Sequence, residues 1–464
     1  MRSRDNQHET APFTNADKSE SRIPVDRRSF LAGLCGVVSL GLGGVAGGKN
    51  STTPAGQLKT SNTRDSLETD VEEQLVKLVP TDNAEDDRFG YSVSLDGDGE
   101  TALIGAFNND DNGEDSGAAY IFTKMNSEWS QTAKLTADDG DPGDIFGWSV
   151  ALDDDGKTAL VAANGRNTDS AYIFTKTDDR WNQTAKITVD EDNHVFAFGL
   201  SVAFACDGKT VLIGASIDDP NGGYSGAAYI FTKTDTGWSQ TAKLTADDET
   251  DYDSFGGSVA LDNDGRTALV GDYRDDENRS NSGAAYIFTK DCDEWIQTAK
   301  LTAGDCDYVV AFGRSVALDC GGKTAIIGAS VDDDNESSER SSAYIFTQTD
   351  EGWRKMTTLT ADDGNPGDSF GSSVAIDDRG ETALIGASED DDNGAVSGSA
   401  YIFAKRNDEW SQTTKLTADD GDENDRFGLS VALDSGGETA LIGASFDENG
   451  FEWAHAGSAY IYEE

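Results

Sequence analysis

The chain has 464 residues, of which 87 are acidic and 36 basic, for a formal net charge of −51 at pH 7. That balance argues against nucleic acid or an anionic membrane surface as a partner and leaves cations and basic surfaces. Regular apolar segments such as TALIGA separate the acids, so the charge decorates a folded chain rather than a disordered one. With a screening length of roughly 10 Å at 0.1 M salt and roughly 3 Å at 1 M, a halophilic setting is expected, with loss of the fold below moderate salt.

In chain order, residues 26–31 read Asp-Arg-Arg-Ser-Phe-Leu and lead into a glycine-rich, weakly apolar run from Ala32 to Ala46. Glycine makes a poor helix and the run is too short to span a bilayer comfortably, so residues 1–46 read as a twin-arginine-type signal peptide. The protein is therefore expected to be secreted or held at the cell surface. Leu34 before Cys35 does not suit a lipid anchor. Residues 47–70, rich in Ser and Thr, read as a flexible leader, and no later segment reads as a transmembrane span. Cys206, Cys292, Cys306 and Cys320 lack CxxC spacing, which indicates neither zinc nor a disulfide framework.

From residue 71 the chain repeats. Phe-Gly recurs at Phe89, Phe146, Phe198, Phe255, Phe312, Phe370 and Phe427, at intervals of 52 to 58 residues. Each period holds four strand-length apolar stretches, as in FGYSVSLD, TALIGA, GAAYIFTK and WSQTAKLTA. Four strands per repeat make one blade, so residues 71–464 predict an all-β, seven-bladed β-propeller. The ends fit this reading. Residues 74–79, Gln-Leu-Val-Lys-Leu-Val, match a fourth strand with no blade before it, and the last repeat stops at its third strand. An N-terminal strand pairing with the C-terminal blade would close the ring and remove exposed sheet edges.

The pattern FGxSVALDxDGxTALIGA followed by SGAAYIF resembles the FG-GAP repeat family, known from the propeller of integrin α subunits and from secreted microbial proteins. The resemblance covers about residues 71–464; blade 2 departs from it with Ala162-Ala163 and blade 4 with Gly271-Asp272. Family members often bind Ca²⁺ in a DxDxDGxxD hairpin between the first two strands. Here the first and last ligand positions of blade 2 are Ala151 and Ala159, and the last is Ala or Val in every blade. A hard cation wants about six to eight oxygens, so these hairpins are expected to be plain turns.

Clustered acids fall instead on the loops joining strands 2 and 3 and on those between blades, which a propeller brings to one rim. Candidate Ca²⁺ ligands there are Asp138, Asp141, Asp144, Asp362, Asp368, Asp419, Asp422 and Asp425 between blades, with Asp391 and Asn393 between strands 2 and 3. The alternative is a solvated surface with Asx turns. By the integrin resemblance this rim would be the partner-binding face, for a protein or glycan ligand. Trp129, Trp181, Trp238, Trp295, Trp353 and Trp410 follow the period and read as packing between blades. Residues that break the period are the better partner-binding candidates: Tyr224, Tyr273, Phe451, Trp453 and His455, with Trp148 beside them.

Beyond the N-terminal segment the only histidines are His194 and His455, in blades nearly opposite across the ring, and no GxSxG, HExxH or phosphate loop is present. The expected function is that of an exported, non-catalytic binding or scaffold propeller, monomeric and adhesion-like. The alternatives are an extracellular carbohydrate-active enzyme using paired carboxylates, or a structural cell-envelope glycoprotein carrying sequons at Asn278 and Asn335.

Overall fold

The computed structural model describes residues 76–165, 169–189, 195–206, 208–218, 223–248, 250–276, 281–304, 311–330, 341–449 and 455–464. They form seven antiparallel four-stranded sheets arranged as the blades of a propeller, and no helix occurs among them. A strand that stands outside blade 1, β1 (Val76–Leu78), comes first; blade 1 then runs through β2 (Phe89–Leu95), β3 (Thr101–Ala106), β4 (Ala118–Met125) and β5 (Glu128–Leu135). The final sheet takes Ser430–Leu433, Thr439–Ala444 and Ser458–Glu463 from the C-terminus and β1 from the other end, in the register Val76 to Ile461 and Leu78 to Ala459. Ring closure therefore rests on ladder hydrogen bonds between the two ends of the chain.

The repeated residues make the blade interfaces. Seven apolar clusters each draw on two neighbouring blades; one joins Phe89, Tyr120 and Phe122 of blade 1 to Leu441, Ala459 and Ile461 of blade 7. In blades 1 to 6 the Phe of the Phe-Gly pair packs tilted or edge-on against the Tyr and Phe of its own third strand, as in Phe255 with Tyr286 at 5.4 Å and Phe288 at 5.9 Å, and in blade 7 Phe427 packs on Tyr460. All six periodic tryptophans lie partly buried against such a cluster, the packing role their spacing implies.

The Phe-Gly glycine is required by close approach and by backbone sign together. Gly90 has φ +88°, and a Cβ there would lie 2.2 Å from the Ser458 carbonyl oxygen of the preceding blade. The same junction is fixed by the Ser in FGxS: Ser430 Oγ donates to the Gly90 carbonyl at 2.8 Å, as Ser92 does to Gly147 at 2.9 Å. A side chain at these glycines would force two blades apart.

Candidate functional site: the loop rim

The loops between strands 2 and 3 and the loops that leave fourth strands share one rim, where they hydrogen-bond to each other. Gly143 N donates to Glu114 O at 2.9 Å, Tyr252 N to Gly223 O at 2.8 Å and Asn424 N to Ala395 O at 2.8 Å. At the opposite ends of the blades, the first Asp of the hairpin caps its own turn. Asp96 Oδ1 accepts from Glu100 N and Thr101 N, and Asp153, Asp262, Asp319, Asp377 and Asp434 repeat the pattern.

Much of the rim acidity is engaged in a recurring tether. The third-strand Tyr lies beneath the ammonium of a fourth-strand Lys, which reaches an Asp of its own strand 2–3 loop and an Asp of the loop arriving from the preceding blade. In blade 7, Lys77 meets Asp420 and Asp447 at 2.7 Å each, and Tyr460 donates to both, at 2.9 and 3.0 Å. In blade 6, Lys415 meets Asp363 at 2.8 Å, Asp390 at 3.2 Å and also Asp392. In blade 4, Lys300 meets Asp248 at 2.6 Å and Asp275 at 2.9 Å.

These partners hold Asp139, Asp248, Asp363 and Asp420 below the usual carboxylate range. For Asp139 the Lys186 hydrogen bond is the largest cause; for the other three, burial pushes upward and the lysine hydrogen bond and charge outweigh it. Blade 5 puts Thr358 opposite its Tyr344, and Lys355, three residues earlier, takes the place over the ring at 5.4 Å.

Among the described residues, no three of the candidate carboxylates have the spacing of a metal site. Asp138, Asp141, Asp362, Asp391, Asn393, Asp419 and Asp422 are exposed. Asp138 N and Asp362 N donate to Gln183 and Gln412 of the next blade. Asp391 Oδ1 accepts from Val396 N, and Asn393 donates to Ala418 O, so both serve as turn fasteners. Asp144, Asp368 and Asp425 are buried two residues before their Phe and accept from the amides of Asp141, Asn365 and Asp422. Burial pushes Asp368 up to about 6 and Asp425 up to about 7, with nearby carboxylates adding to the shift. These carboxyls are enclosed and hydrogen-bonded to their own turns.

Among the described residues, one group of carboxylates has the spacing of a metal site, and it lies in blade 4: Asp253, Asp272 and Asp275, all buried. Asp272 stands where the other six blades have Ala106, Ala163, Ala215, Ala329, Ala387 and Ala444. The sequence signal for it is that break in the Gly-Ala pattern.

The period-breaking aromatics separate into distinct groups. Tyr224 stacks on Tyr252, ring centroids 6.4 Å apart and planes at 28°, across the loops flanking blades 3 and 4. Tyr252 is 70% exposed, and both residues are left-handed, with φ of 55° and 73°. Tyr252 escapes sequence reasoning because it lies in a run of acids; its equivalents are Asp86, Gly143, Gly367 and Asn424, also left-handed but small and polar or glycine.

Tyr273 is not displayed for a partner: it is 7% exposed and its ring covers Gly257, which has no side chain to hold it off. Trp148 is likewise buried, in a three-ring group with Tyr91 and Phe107. His455 packs on Phe446 at 5.1 Å, where its Nδ1 is 3.0 Å from the Phe446 carbonyl, and Arg88 lies on the same Phe446 ring at 3.9 Å. Phe451, Trp453 and His194 lie outside the described residues.

Fold and rim together define a closed seven-bladed propeller whose blades are seven variants of one sequence unit. The FG-GAP repeat model matches residues 73–122, 129–174, 181–231, 238–288, 295–346, 353–403 and 410–462, and the chain belongs to that family. Each matched unit begins on or just before a fourth strand and ends on the third strand of the next blade, so the family unit straddles a blade junction. Among solved structures the chain is similar to Kuenenia stuttgartiensis hydrazine synthase, with 14% identity and a TM-score of 0.53, over 78% of this chain and 94% of that one. It is also similar to a protein from Lactobacillus plantarum, with 14% identity and a TM-score of 0.48, over 72% of this chain and 86% of that one. At 14% identity the likeness to the hydrazine synthase chain is one of fold. No curated protein matches the chain.

Proposed function

We propose that this propeller is an exported, non-catalytic binding module that takes a protein partner on its loop rim, with Tyr224 and Tyr252 as the contact pair. The observation that carries this reading is the pair itself. Two bulky residues adopt left-handed backbone, which costs roughly 1–3 kcal/mol each and persists where the surroundings enforce it. They stack with one ring largely in solvent, and rigid aromatic area of that kind gives contact surface at low entropic cost. The tethers supply a stiff frame beneath them. The Asp-Arg-Arg-Ser-Phe-Leu segment supports export by a twin-arginine-type route, and the acid excess suits a salt-rich exterior.

The test is affinity capture from the cell-envelope and culture fractions of the source organism, with the propeller as bait at high salt. A partner retained by the wild type and lost by Tyr252→Gly supports the reading, and identical captures by the two baits reject it. A glycan rather than a protein in the lost fraction would move the module to carbohydrate recognition on the same pair.

A further inference from the structure

Blade 4 encloses more negative charge than the repeat needs. Asp272 is wholly buried at the end of the second strand, at a position that is Ala in the other six blades. One of its oxygens, Oδ1, accepts from Ser254 N at 2.8 Å and from Arg274 N at 3.3 Å. The other, Oδ2, is equally enclosed and has no hydrogen-bond partner. Asp253 and Asp275, also buried, bring one carboxylate oxygen each to within 4.8 Å of Asp272 and of each other. Ser254, whose amide donates to Asp272, also has a buried and unpartnered hydroxyl.

One ammonium and one guanidinium lie close to this triad. Lys300 reaches Asp275 but also serves Asp248 at 2.6 Å, and Tyr286 donates to Asp275 at 2.8 Å. The Arg274 guanidinium lies over the Tyr273 ring at 5.4 Å. Asp253 accepts from the amide and hydroxyl of Thr250, which are neutral. Asp272 Oδ2, enclosed and without a donor beside two further buried carboxylates, is an acceptor that a proton or a cation must meet. Blade 7, with two carboxylates at the matching places and Ala444 in the third, is the same frame without the surplus.

We infer that Asp253, Asp272 and Asp275, with the Ser254 hydroxyl, form a binding site for one divalent cation of the Ca²⁺ class. Convergent carboxylates joined by a neutral hydroxyl are the donor set of a hard cation, which takes about six to eight oxygens. The ion would brace the turn that displays Tyr252, one residue from Asp253. The site stands on its own geometry, so it survives if Tyr252 contacts nothing, and the partner reading survives if the ion is absent.

The test uses the intact exported chain, stripped with chelator in about 1 M NaCl to screen the diffuse rim charge. Bound ions are counted by equilibrium dialysis against Ca²⁺, and thermal melts are run with Ca²⁺ or with Mg²⁺ at equal ionic strength. The wild type should bind one more Ca²⁺ per chain than Asp272→Ala and should melt about 3 °C higher at hundredfold saturation, a rise the variant lacks. Asp272→Ala installs the residue of the other six blades, so folding should be retained. Asp272→Asn keeps an acceptor for the Ser254 and Arg274 amides and should lose the ion as well. Equal ion counts in wild type and both variants, or an equal response to Mg²⁺, would overturn the assignment. So would a wild type that binds no ion and is instead stabilised by acidification through Asp272, because a proton would then hold the triad.

Discussion

Blades 4 and 7 are built on one plan, and two of the positions at which they differ set their rims apart. Each sets a Lys over a third-strand Tyr and against two acids, Lys300 with Asp248 and Asp275 in one, Lys77 with Asp420 and Asp447 in the other. Each buries a further Asp before its Phe, Asp253 or Asp425. Blade 7 then has Ala444 and Asn424 where blade 4 has Asp272 and Tyr252. The residues that obey the period are occupied in holding the ring together, so the two that break it are where a role beyond the fold is to be sought.

The shared plan is broken most severely at the Phe-Gly pair. Phe255→Ala and Phe427→Ala each empty a fully enclosed space between blades and should cost about 3–5 kcal/mol, equally in the two blades, as read by denaturant unfolding. A clear inequality would mean that the junctions are not equivalent. Next comes the tether: Lys77→Met leaves Asp447 buried without its cation and should cost about 3 kcal/mol. Because this tether also anchors β1, the strand that closes the ring, hydrogen exchange at Val76–Leu78 should accelerate with it.

Asp425 gives a smaller effect with a definite sign. Burial, and then the charges of Asp447 and Asp422, raise its carboxyl to about 7, against the opposing hydrogen bond from Asp422 N. The folded state thus holds the proton more tightly than the unfolded chain. Its contribution to stability is full below about pH 4 and is lost as pH rises through about 7. Asp425→Asn removes that loss and should stabilise the protein by about 1–3 kcal/mol near pH 8, with little change near pH 4. Melting curves across that range check it, and a variant that parallels the wild type at every pH contradicts it. Smallest is Tyr252→Gly, where relief of a left-handed Tyr is offset by the backbone entropy of glycine and by loss of the stack on Tyr224, for a net change of no more than about 1 kcal/mol.

The same contrast explains what could be read from the sequence. Blade number and ring closure follow from a fixed period and from a leftover strand at each end, which are local patterns. The tether joins residues from four separate segments, such as Asp420, Asp447, Tyr460 and Lys77, so an acid that is bound cannot be told from one that is solvated by its neighbours in sequence. Asp391 and Asn393 look like ligands for that reason, and each makes a hydrogen bond that fastens its turn. Asp272 is visible as an irregularity, yet its meeting with Asp253 depends on the first strand of the blade lying beside the second. Tyr273, an irregular aromatic like Tyr224, is drawn inward because glycine at 257 leaves room for its ring.

Positions 252 and 424 offer the most direct test of the claim that the irregular rim residues carry function. Both backbones are left-handed, at 73° and 74°, and both amides make the same 2.8 Å bond to the neighbouring loop, so replacement by glycine has the same effect on the two backbones. Binding of the captured partner should be measured for the wild type, Tyr252→Gly and Asn424→Gly. The account predicts loss of binding for Tyr252→Gly alone; equal binding by all three, or equal loss in both variants, would contradict it.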